Sequence, residues 1–276
     1  MTFAESASPP AITTRGPLAS FAYFWSKTFN IFEMELRKIR HDPFNLLTRA
    51  IQPLLWLLIF GQVLAGARGI PTGEYSYIEF MAPGILAQSV LFVAIFYGLA
   101  LIWERDLGII HKFLASPAPR AALVLGKGLG ASMRGCSQAA IVMLTIYLLG
   151  IQANWNLLNL LGVFVTVILG AIVFATLSLI IAIWMKERER FMGVGQVLTM
   201  PLFFASNAIY PIEMMPGWLQ NISLYNPLTY MVDALRSLIL VGAQSQFGLA
   251  FDLGLLAVMA AILIAIAAKI YPSFIT

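Results

Sequence analysis

At 276 residues, 60% of them hydrophobic and only 11% charged, this chain is too apolar for an ordinary soluble domain. Its net charge of +4 follows from which side of a membrane the Lys and Arg residues occupy, so it implies no nucleic-acid partner. One cysteine, Cys136, excludes an intrachain disulfide framework and is expected to serve as a small packing residue. The expected fold class is an all-α integral membrane protein.

Residues 1–17, rich in Ser, Thr, Ala and Pro, are expected to be a disordered cytosolic tail. They lack the apolar core of a cleaved signal peptide, so the first span is expected to direct insertion. Residues 18–276 are expected to form a single transmembrane domain. Between Leu18 and His41, Phe21, Phe24, Trp25, Phe29, Phe32, Leu36 and Ile39 recur near helical period with charged residues between them. That spacing predicts an amphipathic helix lying in the membrane interface, with Glu33 and Arg37 paired at i, i+4. Asp42-Pro43 then breaks it. A helix needs about 20 apolar residues to cross about 30 Å of hydrocarbon. Six uncharged or nearly uncharged runs qualify as spans, at about 46–66, 79–102, 130–150, 157–184, 192–211 and 250–269.

Of the seventeen Lys and Arg residues, only Arg68 and Arg236 fall outside the set on the N-terminal side of these spans. That asymmetry predicts that both termini face the cytosol. The cytosolic loop from Trp103 to Pro117 places Leu107, Ile110, Phe113 and Leu114 on one helical face, which predicts a short amphipathic helix able to act as a rigid knob. Gly126, Gly128 and Gly130 lack the Ser or Thr and the preceding strand of a phosphate loop, so they are expected to permit close helix packing. On the outer side, Pro216-Gly217 and Asn226-Pro227 interrupt an uncharged stretch before the last span. A re-entrant pair of short helices is expected there, with Asp233 and Arg236 paired at i, i+3.

Glu104-Arg105-Asp106-Leu107-Gly108 with Ser116-Pro117 resembles the cytosolic loop of ABC-2 type transporter permeases. Pro216-Gly217-Trp218, Asn226-Pro227 and Asp233-Ala234-Leu235-Arg236 resemble the outer block of the same family, and the likeness covers roughly residues 20–270. Ser206-Asn207-Ala208 resembles most nearly the branch that exports drugs, natural products and lipids. The resemblance implies an ATP-driven exporter in a cell (inner or plasma) membrane, a homodimer, with no cofactor on this chain. ATP and Mg would sit on a separate ABC ATPase subunit, with membrane lipids as further partners. It implies coupling through Glu104, Arg105, Asp106, Lys112, Phe113 and Glu187. It implies a substrate cavity lined by spans 2 and 5, here Gln88, Phe92, Phe96, Met200, Phe203, Phe204 and Asn207. The cargo would be amphipathic, hydrophobic or lipid-linked; a polysaccharide or glycolipid is the alternative within the family. A membrane-embedded lipid-modifying enzyme is the alternative from another class. It would need clustered Asp, His or Cys, and the only histidines, His41 and His111, lie in the cytosolic amphipathic segments. No metal site is expected.

Overall fold

The computed structural model describes residues 17–41, 43–65, 73, 75–110, 118–185 and 187–274. Among them all extended regular structure is helical: α1 (Pro17–His41), α2 (Pro43–Leu55), α3 (Gly61–Ala65), α4 (Tyr77–Asp106), α5 (Arg120–Leu148), α6 (Leu157–Trp184), α7 (Arg188–Phe204), α8 (Gly217–Tyr225), α9 (Pro227–Ile239) and α10 (Leu249–Ile270). A single isolated antiparallel bridge joins Ala153 to Leu240. Three helices, α4, α6 and α10, are long and apolar enough to cross a membrane, and Ile51–Val63 is a shorter apolar helix. The chain is thus an all-helical membrane protein.

Sequence chemistry explains where these helices start and stop. Ser76 and Glu79 form a reciprocal capping box at the head of α4. Asn156 caps α6, and Asn226 caps α9 while Pro227 takes its first helical position. Between α2 and α3 the backbone passes through a π-helical segment at Trp56–Phe60, just after Pro53 has removed a backbone donor. Trp56 and Phe60 stack there at 4.4 Å.

Two boundaries differ from the sequence expectation. α4 runs through Glu104-Arg105-Asp106, so these residues close a long helix and do not open a separate loop helix. Gly108, at φ +71°, adopts the left-handed conformation that ends it, and its N–H caps the Arg105 carbonyl. α7 stops at Phe204, short of residue 211. Side chains take the carbonyls of its last turn: Asn226 donates to Leu202 O, Ser206 to Phe203 O and Tyr210 to Phe204 O.

α6 is the axis of the molecule and packs on α4, α5, α9 and α10. Its flank of Val163, Val167, Ala171, Val173 and Phe174 sits inside the main core, with α4 residues such as Ile85, Leu86 and Leu91 opposite. α10 lies at the edge, with Phe251, Val258, Ile262 and Ile266 exposed. A face this apolar suits contact with acyl chains. α1 is amphipathic as its spacing predicts: Phe21, Trp25, Phe29 and Leu36 are exposed, while Thr28, Ile31 and Glu35 are buried against α5. The expected Glu33–Arg37 pair is present at 2.7 Å. The glycine cluster does what close packing requires. A Cβ on Gly126 would fall 2.8 Å from Ile31 Cβ, and one on Gly130 would fall 2.5 Å from Glu35 Cβ.

Candidate functional site: a buried ion network and an amide-lined cleft

Close approach of α1 to α5 brings charges from three helices together at the end of α4. The Glu104 carboxylate accepts from Lys38 Nζ of α1 at 2.6 Å and from Lys127 Nζ of α5. Glu35 of α1 accepts from the same Lys38 at 2.8 Å, with Arg134 at 3.5 Å and Lys127 at 3.8 Å. The Arg134 guanidinium lies 4.9 Å over the Tyr97 ring of α4. Glu104 is 7% exposed and Lys127 only 1%. Burial raises the Glu35 carboxyl, but Lys127, Lys38 and Arg134 together outweigh it and hold the group below the usual carboxylate range. Glu104 therefore faces into the molecule and is engaged within the chain. The sequence expectation placed Glu104 at a partner contact; within this chain its carboxylate ties α4 to α1 and α5.

Of its neighbours, Arg105 is half-buried and Asp106 is exposed. Asp106 bonds Arg105 at 3.0 Å and Arg188, at the head of α7, at 2.8 Å. The Arg188 guanidinium also stacks over Trp103 at 4.5 Å. Thus the ends of α4 and α7 are joined at the surface. Glu187 beside them is exposed and pairs with Arg190 at 2.8 Å. Lys112 and Phe113 lie outside the described residues.

Further along the same two helices the cavity residues divide. Gln88, Phe92 and Phe96 of α4 and Met200 of α7 converge on a cleft of about 460 Å³. Phe92 and Phe96 lie nearly parallel, at 6.1 Å and 23°. Phe203 does not line it; the side chain is fully buried against Trp56, at 6.0 Å. Phe204 faces a separate apolar groove of about 650 Å³, shared with Trp218, Ile222 and Tyr225 of α8. Asn207 lines a third, polar pocket of about 490 Å³ with Asp233 and Arg236.

The cleft also draws Thr48, Arg49 and Gln52 from α2, and Gln196 from α7, which the sequence expectation omitted. A signal was present: Thr48 and Gln52 stand at i, i+4 on one face of α2, with Arg49 beside them. In the block before α10, Pro216, Asn226 and Pro227 mark the breaks that set α8 and α9 apart, and Trp218 is exposed. The i, i+3 pair of Asp233 with Arg236 is corrected. Arg236 instead donates to Asn207 O at 2.7 Å and stacks on Phe80 at 4.0 Å. Asp233 accepts from Ser245 Oγ at 2.9 Å and from the Phe247 N–H at 3.2 Å.

A family model described as ABC-2 type transporter matches residues 27–240. The chain belongs to the ABC-2 type transporter family. The permease is 31% identical over 218 residues to the putative transport permease ycf38 of Cyanophora paradoxa, covering 78% of this chain and 75% of that one. It is 28% identical over 231 residues to the daunorubicin resistance ABC transporter permease protein DrrB1 of Streptomyces coeruleorubidus, covering 84% and 79%. The inner membrane transport permease YadH of Escherichia coli K12 matches at 24% over 222 residues, covering 77% and 82%. The matched span includes both the ion network and the cleft. This chain is a transmembrane permease of an ABC transporter.

Proposed function

We propose that this permease is the membrane half of an ATP-driven exporter, carrying an amphipathic, hydrophobic or lipid-linked molecule out of the cytosol or inner leaflet. Two copies form the pathway in a plasma or inner membrane. Each binds a separate ABC ATPase subunit that holds ATP and Mg. In this reading the chain crosses the membrane six times, α8 and α9 are a re-entrant cap on the outer side, and both termini are cytosolic.

One observation carries the reading: the two helices that wall the cleft are fastened together at the end where the loop after α4 emerges. Gln88, Phe92 and Phe96 belong to α4, Gln196 and Met200 to α7, and Asp106 bonds Arg188 between the two helix ends. The ion network adds α1 and α5 to the same block. A push from an ATPase on the loop after Asp106 then moves both walls as one body. Glu104 and Gln88 are sixteen residues apart, a lever of about 24 Å at 1.5 Å per residue.

Two experiments test it. In a Cys136→Ser background, single cysteines at Ser8 and Ser116 should label from the cytosol, and those at Gln152 and Gln220 from outside. Outside labelling at 116 would sink the six-span topology. Arg188→Ala and Asp106→Ala should each leave insertion and dimerisation intact while uncoupling export from ATP hydrolysis, or releasing the ATPase on co-purification. Full ATPase binding with full export in both variants would remove the main support for the coupling route.

A further inference from the structure

Most buried polar side chains among the described residues have partners; Gln88, Gln138, Thr176 and Asn207 each leave a side-chain atom unpaired, and of these Gln88 lines the cleft. It is 3% exposed, lies in the floor of the cleft between α2, α4 and α7, and its amide nitrogen has no acceptor. A buried donor left unpaired costs stability, so an isosteric apolar side chain would be the better choice if packing were the only demand. The group beside it does not supply the missing acceptor: Ser89 Oγ donates to Leu86 O, within its own helix. The rim adds Gln52 and Gln196 from the facing helices, with Arg49. No carboxylate lines this cleft among the described residues. The remaining wall is apolar, with the near-parallel rings of Phe92 and Phe96 and the thioether of Met200.

We propose that the cleft takes an apolar, ring-bearing amphiphile that presents an acceptor oxygen (a carbonyl, ester or ether) to the Gln88 amide. The inference rests on the cleft being the transport site and names the chemistry that site reads. The rings lie against Phe92 and Phe96, and the oxygen receives the donor that the folded chain leaves unused. Gln88 thereby selects cargo by hydrogen bonding and not by charge. A site built to donate rejects an analogue without the acceptor, because binding it leaves the amide unpaired.

The test uses the full-length permease in lipid nanodiscs, with benzophenone as a photolabelling probe and diphenylmethane, the same two rings without the oxygen, as competitor. Labelled residues are mapped by mass spectrometry, and thermal unfolding is followed in parallel. In the wild type, benzophenone should label cleft residues such as Met200, and diphenylmethane should compete poorly. Gln88→Leu should raise Tm by about 2–4 °C and weaken cleft labelling by about three- to tenfold, the worth of one hydrogen bond. Gln88→Met, which keeps the side-chain length, should do the same if the leucine variant packs badly. A fall in Tm in both variants would show that Gln88 has a structural partner and overturn the proposal. So would higher Tm with unchanged labelling. Wild-type labelling that avoids the cleft altogether would overturn the transport-site reading itself, a separate outcome from loss of Gln88 selectivity.

Discussion

The C-terminal foot of α4 and the middle of the same helix bury polar groups in opposite ways. At the foot, the carboxylates of Glu35 and Glu104 and the ammonium groups of Lys38 and Lys127 all find one another. Sixteen residues away, Gln88 is buried as deeply and its amide nitrogen has no partner; Asn207, three residues past the C-terminal end of α7, leaves both amide atoms unpaired. The contrast teaches how to separate architecture from reception in this molecule. A network whose charges meet within the chain fastens helices together. An unpaired amide that lines a cavity, as those of Gln88 and Asn207 do, is a group that something outside the chain can complete.

The hardest test of that division is Lys127→Ala. It strips Glu104 of its most buried partner, and breaking a buried pair costs about 3–5 kcal/mol. Unfolding in nanodiscs should register that loss, and the double variant Lys127→Met with Glu104→Gln should recover most of it because no lone charge remains. A cost under about 1 kcal/mol for the single variant would mean that the network is hydrated and only decorative.

A smaller effect, in the packing beneath the network, is expected of Gly130→Ala. The new Cβ would meet Glu35 Cβ at 2.5 Å, and overpacking of this kind costs about 1–3 kcal/mol. Gly193→Ala on α7 is the control, since nothing lies within 4 Å of its Cβ position. There the gain in helix propensity should stabilise by up to about 1 kcal/mol. Equal effects at both sites would show that α1 is not clamped to α5.

Parts of this architecture were legible because local pattern and tertiary role agree. The aromatic spacing of α1 reports a helix with one apolar face, and the Gly126, Gly128 and Gly130 set reports close packing; both describe what these residues do. The proline and asparagine breaks around α8 and α9 were readable for the same reason. Glu104 was not, because an acid following a tryptophan at the end of an apolar run reads as a solvated group. Only the fold reveals that Lys127, on another helix, reaches it. For α5 the sequence placed a span at about 130–150, but the helix begins ten residues earlier, at Arg120, because Lys127 and Arg134 pair inside the molecule. In the cleft, Gln88 stood out as a lone amide in an apolar run. The α2 residues offered only the i, i+4 spacing of Thr48 and Gln52, which does not reveal that they sit beside α4, a long-range fact. Phe203 and Phe204 were grouped as neighbours in sequence, whereas consecutive helical side chains point about 100° apart and here face different surroundings.

The bridge between Ala153 and Leu240, with Asn154 N–H donating to Ile239 O at 2.7 Å, has a consequence for how the chain is made. The turn between α5 and α6 is synthesised early, and its backbone donor waits for an acceptor that leaves the ribosome more than eighty residues later. Until then the hairpin of α5 and α6 is an unfinished edge, held by water or by the insertion machinery. Closing that edge is a late act of biogenesis. A nascent chain cut short before Leu240 would hold most of its helices and still lack the stitch that fastens the α5–α6 turn to the end of α9.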